Sequence, residues 1–101
     1  MASTLKDEAK KFLADVPEEH VFRCCDGSVF KNLQELKDGL DSMTDESFAC
    51  HSNAEKKDFS NWVRDVIGDE KLATNLQNAA TRAQAAKQIA SKISTMKKRL
   101  A

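Results

Sequence analysis

His51 and Asp58 stand seven positions apart in the chain. An imidazole beside a carboxylate is how a general base is held by its orienting acid. Catalysis needs a constellation rather than a pair, and no nucleophile, Gly-rich loop or second histidine is placed with them. The expected role of the pair is structural, tying two helix ends across a corner.

Cys24, Cys25, Cys50 and His51 are the ligand types that tetrahedral zinc favours. Their spacing differs from that of the familiar zinc knuckles. If Cys24 and Cys25 continue a strand, their side chains point to opposite faces and cannot share one ion. On this ground no metal or cofactor is assigned, and buried cysteines are expected to serve as small apolar residues. Three cysteines are an odd number, which suits free thiols in a reducing compartment, so a Cys25–Cys50 disulfide is not expected. Asp26-Gly27 lacks the several oxygens of a calcium loop and is explained by a hairpin turn. Trp62 could stack on a base, but its place in an apolar helical stripe predicts core.

Charge is the least bland signal. The formal net charge is zero, yet residues 1–80 hold 10 Lys and Arg against 16 Asp and Glu, and the last 21 residues hold six basic residues and no acid. Those six, Arg82, Lys87, Lys92, Lys97, Lys98 and Arg99, are candidate phosphate contacts. They are not gathered on one face, which argues against a helix that reads a groove. Lys97, Lys98 and Arg99 also suit the negative end of a helix dipole. Ala86, Ile89, Ile93, Met96 and Leu100 repeat every three and four residues on the same segment, the period of an apolar seam through which the chain could extend or dimerise.

These residues must be positioned by helices. Phe59, Trp62, Val63, Val66 and Ile67 fall on one face of a helix expected from about Ala54, with Ser52 or Asn53 as cap and Gly68 as its stop. Asp69 caps the next helix, with Leu72, Ala73 and Leu76 inward. Upstream, Leu5, Ala9, Phe12, Leu13 and Val16 predict a helix over 5–14, opened by Ser3 or Thr4 and stopped by Pro17. Short strands at 21–24 and 28–30 flank the Asp26-Gly27 turn. Asn32 with Glu35 forms a capping box for a helix bearing Leu33, Leu36, Leu40 and Met43, in which Gly39 marks a close approach. Thr44 caps a short helix anchored by Phe48, and Thr81 opens the last one.

The order FRCCDGSVFKNLQELKDGLDSM, DESFACH and DFSNWVRDVIGDEKLA resembles a family of small uncharacterised prokaryotic domains. In that pattern an aromatic strand leads through a DG turn to a leucine-rich helix, then a Phe and His pair, then a DF-x-x-W-V helix ending at Gly-Asp and Leu-Ala. The matching positions are Phe22, Asp26, Gly27, Leu33, Leu36, Met43, Phe48, His51, Asp58, Phe59, Trp62, Val63, Gly68, Asp69, Leu72 and Ala73. The resemblance covers residues 20–80 and implies a cytoplasmic protein of a bacterium or archaeon. It implies no particular activity.

Together these features predict a mainly α fold: a compact bundle of five or six helices with one short two-stranded β-hairpin. The domain spans 1–80, and a basic helix at 81–101 packs on it or extends from it. The core is expected to hold Phe12, Phe22, Leu36, Leu40, Phe48, Phe59, Trp62, Val63, Val66, Ile67, Leu72 and Leu76. No apolar run approaches the roughly 18 residues that cross a membrane. The first residues carry Lys and Glu where a leader would be apolar, so a cytoplasmic site is expected. The expected function is a non-enzymatic binding or regulatory module working through protein–protein contacts or self-association. Nucleic-acid binding through the basic helix is the alternative, and a metal or enzymatic site at His51 and Asp58 is the third.

Overall fold

The computed structural model describes residues 5–53 and 55–100, with side chains from Ala9 onward. The caps expected at Ser3 or Thr4, and the side chain of Leu5, lie outside the described residues. Helix α1 (Leu5–Leu13) ends ahead of Pro17, and a single 3₁₀ turn (Glu18–His20) leads into the hairpin. Strands β1 (Phe22–Arg23) and β2 (Val29–Phe30) pair antiparallel, with Phe22 opposite Phe30 and Arg23 opposite Val29. Their brevity comes from the turn: the Gly27 N–H donates to the Cys24 carbonyl at 3.0 Å, and the Ser28 N–H to Asp26 Oδ1 at 2.8 Å. The Cys24 carbonyl and the N–H groups of Gly27 and Ser28 are thereby committed to the turn rather than to a longer ladder.

Helix α2 (Leu33–Ser42) begins at the expected Asn32 cap, with the reciprocal bond of the box shifted by one residue, to Lys31. Asn32 Oδ1 accepts the Glu35 N–H at 2.7 Å, while Glu35 reaches back to the N–H of Lys31 at 2.9 Å. Thr44 Oγ1 accepts the Ser47 N–H at 3.1 Å and opens α3 (Asp45–His51).

The next helix starts later than its apolar period suggests. Asn53 Oδ1 accepts the N–H groups of Glu55 and Lys56, a local turn that competes with helix. Neither Ser52 nor Asn53 caps α4 (Asp58–Trp62), which begins four residues beyond Ala54. The helix then widens into a π turn over Val63–Ile67, closed by N–H bonds from Gly68 and Asp69 to the Val63 carbonyl. Gly68 sits at φ +90°, the left-handed stop that its residue type allows. Asp69 Oδ1 accepts the Leu72 N–H to cap α5 (Glu70–Gln77), and the Thr81 hydroxyl accepts the Gln84 N–H at the head of α6 (Arg82–Leu100).

The core runs through the whole chain. Phe22 is its aromatic centre, with ring centroids 4.9 Å from Phe59, 6.0 Å from Phe30 and 6.0 Å from Trp62. Of the core residues expected, all are buried except Phe12 and Val66, which pack half-buried against the rest. Leu33, Phe30, Cys24 and Ala73 join them.

The apolar seam of the last helix faces inward. Helix α6 packs along α1 and α2 of its own chain, so Ala86, Ile89, Ile93 and Met96 are core, with Ile89 and Met96 0% exposed. Leu100 is half-buried. A mainly apolar face must be covered, and here the chain covers it itself. The Cα radius of gyration of 13.2 Å is that of one compact body including α6, since about 13 Å is usual at this length. No described helix is long and apolar enough to cross a membrane.

Candidate cysteine and histidine site, and the basic helix

His51 ends α3 and Asp58 begins α4, so the connection between them folds the two side chains together. His51 Nδ1 lies 2.9 Å from Asp58 Oδ2. The other ring nitrogen, Nε2, accepts the backbone N–H of Cys25 at 2.9 Å. An accepting Nε2 leaves the proton on Nδ1, which donates it to Asp58; the ring is thus the neutral Nδ1–H tautomer. Edge contacts with Phe22 and Phe59, at 5.1 and 5.6 Å between centroids, hold its plane. The imidazole joins the hairpin turn, α3 and α4. With its lone pair given to an N–H, it ties the three elements together.

The cysteines are placed differently from the expectation. Strand β1 stops at Arg23, so Cys24 and Cys25 occupy the turn, where strand alternation no longer governs their direction. Both thiols then face His51: the Sγ atoms of Cys24 and Cys25 and a ring nitrogen of His51 lie within 4.8 Å of one another. The objection that neighbouring residues must diverge therefore fails at this turn. The Asp26-Gly27 signal for a tight turn directly after the pair was the clue that the strand had ended.

Cys50 precedes His51 on α3 and lies outside that trio. The Cys25 side chain, with some desolvation, holds its thiol above the ordinary value. Cys25 also donates weakly to the Ser47 carbonyl, Sγ to O 3.9 Å. Burial pushes the Cys24 thiol up, and the neighbouring Asp26 backbone offsets part of that rise. All three thiols are free. Asp26 itself serves the turn, and Trp62 is buried with its Nε1–H donated to the His20 carbonyl at 2.8 Å.

The basic residues of α6 divide into two sets. Arg82 Nη1 donates to the carbonyls of Leu40 and Asp41 at 2.6 and 3.1 Å, and its Nε to Asp45 at 3.1 Å. Lys92 Nζ lies 3.0 Å from buried Asp69 and 5.5 Å from the Phe12 ring centroid. These two, included above among candidate phosphate contacts, are spent inside the molecule. Lys87, Lys97 and Lys98 are exposed, and Arg99 is half-buried with one N–H on Met96 Sδ at 3.8 Å.

Two shallow grooves run side by side between α5 and α6. One, of about 200 Å³, is lined by Lys71, Leu72, Asn75, Gln88, Ser91, Lys92, Thr95 and Arg99. The other, of about 340 Å³, is lined by Asn75, Asn78, Ala79, Gln84, Lys87 and Gln88. They share Asn75 and Gln88, and among the described residues no carboxylate lines either one. Lys71 and Asn75 belong to α5 and were not among the residues singled out from the sequence, because their charge and amide are ordinary until α6 is laid beside them.

No protein-family model, no curated protein and no solved structure matches this chain.

Proposed function

We propose that this protein is a small non-enzymatic binding module of a reducing, cytoplasmic compartment, and that it takes nucleic acid by its phosphates along the α5–α6 face. The observation that carries this reading is the pair of neighbouring grooves lined, among the described residues, by no carboxylate but by Lys71, Lys87 and Arg99 with amide and hydroxyl side chains between them. Cations supply attraction to phosphate, and Asn, Gln, Ser and Thr supply hydrogen bonds to phosphate and sugar oxygens. Asp69, the nearest buried acid, is neutralised by Lys92 and does not oppose an incoming anion. At about 1.5 Å per residue, the 19 residues of α6 offer a face of about 28 Å, long enough for several successive phosphates.

Self-association through the α6 seam, the leading expectation above, loses its surface because that seam is core. The grooves carry no aromatic side chain, so base stacking plays no part and binding is indifferent to sequence.

The test is a salt titration of binding to labelled single-stranded and duplex DNA and RNA. The expected result is weak, sequence-independent binding at low salt, with a log–log salt slope of about −2 to −3. Lys87→Gln and Lys71→Gln each lower the slope magnitude by about 1. Absence of binding to every probe at low salt overturns the proposal.

A further inference from the structure

A second site lies on the hairpin side, independent of the α5–α6 face. We propose that Cys24, Cys25, Cys50 and His51 form a binding site for a thiophilic divalent metal ion, zinc by its chemistry, which fastens the hairpin turn to the end of α3.

The first support is distance. A tetrahedral ion with bonds of about 2.3 Å to sulfur and about 2.0 Å to nitrogen holds its ligand atoms about 3.5–3.8 Å apart. Two thiols and an imidazole nitrogen already lie within 4.8 Å of one another, so small side-chain rotations bring them to bonding range. Cys50 is outside that trio; it adjoins His51 on the same helix and is the one further thiol of the chain, so it is assigned as the fourth ligand.

The second support is the second shell. Asp58 fixes the proton of His51 on Nδ1 and turns Nε2 towards the thiols. That is the carboxylate–histidine arrangement that orients metal-bound imidazoles and raises their basicity. Binding exchanges the Cys25 N–H on Nε2 for the ion and releases the three thiol protons to solvent. The Cys25 thiolate then no longer donates to the Ser47 carbonyl, and the aromatic wall of Phe22 and Phe59 stays in place.

The choice of metal follows from the donors. Three soft thiolates and one imidazole select zinc over magnesium or calcium, which need oxygen ligands.

The experiment uses the full-length, reduced, metal-free chain. Cobalt(II) is added while absorption is followed, and zinc is then used to displace it. The expected result is one equivalent per chain, the thiolate-to-cobalt charge-transfer band, the ligand-field bands of a tetrahedral ion, and release of about three protons. Cys25→Ser and Cys50→Ser replace exposed thiols and leave the fold intact, as circular dichroism of the metal-free variants checks. Cys25→Ser removes the charge-transfer band of the native site, and Asp58→Asn weakens binding about 10–100-fold. Zinc also raises the melting temperature of the native chain but not of Cys25→Ser. Absence of a charge-transfer band, or a band unchanged in Cys25→Ser, overturns the proposal; a spectrum unchanged in Cys50→Ser overturns the four-ligand assignment.

Discussion

Lys92, midway along α6, pairs with Asp69 at 3.0 Å, and the same carboxylate caps α5 through its other oxygen. Asp69 is only 4% exposed, so its charge is affordable only with a partner. The lysine stem crosses the Phe12 ring on the way, and one side chain thereby ties α1, α5 and α6 together. Lys92→Met strands the buried carboxylate and should destabilise the fold by about 3 kcal/mol, the range for breaking one side of a buried pair. Adding Asp69→Asn keeps the cap and removes the charge, so the double variant should recover much of the loss. Urea denaturation of the three variants measures this; equal stability of Lys92→Met and wild type would mean that Asp69 finds water instead.

Arg82 makes a comparable tie at the head of α6. Its Nη1 satisfies two carbonyls at the C-terminal end of α2, from Leu40 and Asp41, where a positive charge also suits the helix dipole. The bond to Asp45 adds little, since that carboxylate is largely in water. Arg82→Ala should cost about 2 kcal/mol, the usual worth of hydrogen bonds to a charged group. Arg82→Lys should recover little of it, because one ammonium cannot reproduce the guanidinium fork. Thermal melting of the two variants decides, and the contact should leave nucleic-acid binding unchanged once stability is accounted for.

These two residues show where sequence reasoning stopped. Signals confined to neighbouring residues were legible: the Asn32 and Glu35 box, the Thr44 and Asp69 caps, the Asp26-Gly27 turn and the stripe from Phe59 to Ile67 each specify their element within a short local stretch. The apolar face of α6 was equally legible, but periodicity says that a face is covered and not what covers it. So Ile89 and Met96 suggested a partner when the partner was α1 and α2 of the same chain. The π turn was hidden because the positions of Trp62, Val63, Val66 and Ile67 satisfy both a regular helix and one widened by a residue. The contact of Cys25 with His51, 26 residues apart, depended on how the hairpin docks against α3, which no local pattern encodes.

Gly39 is set against Phe30. A Cβ on Gly39 would run into the Phe30 ring, which is itself buried and stacked on Phe22. Two effects therefore oppose each other in Gly39→Ala. Helix propensity favours alanine by about 1 kcal/mol, while forcing a methyl into a packed core costs about 1–3 kcal/mol. The clash involves a ring that is itself buried and stacked, so the net change should be destabilising by about 1 kcal/mol. Phe30→Leu in the Gly39→Ala background should then be better tolerated than Phe30→Leu alone. A double-mutant cycle by chemical denaturation measures the coupling, and additive effects would show that the ring moves aside freely.

The hairpin turn carries its own acid-sensitive contact. Asp26 Oδ1 accepts the Ser28 N–H at 2.8 Å, and this bond holds the Asp26 carboxyl below its ordinary value of 3.8. A carboxylate whose value is lower when folded than when unfolded stabilises the fold where it is ionised. That contribution is present above pH 3.8 and is lost as pH falls through the lowered folded value. In Asp26→Asn the amide oxygen keeps a neutral version of the same bond and does not titrate. Wild type should therefore be the more stable of the two at neutral pH, and its advantage should shrink once the solution is more acidic than pH 3.8. Urea midpoints of both proteins across this range test the sign, and a carbon-detected titration of the Asp26 carboxyl should give a midpoint below 3.8. A gap between the two proteins that stays constant with pH would show that the turn is held by Gly27 and the backbone bonds alone.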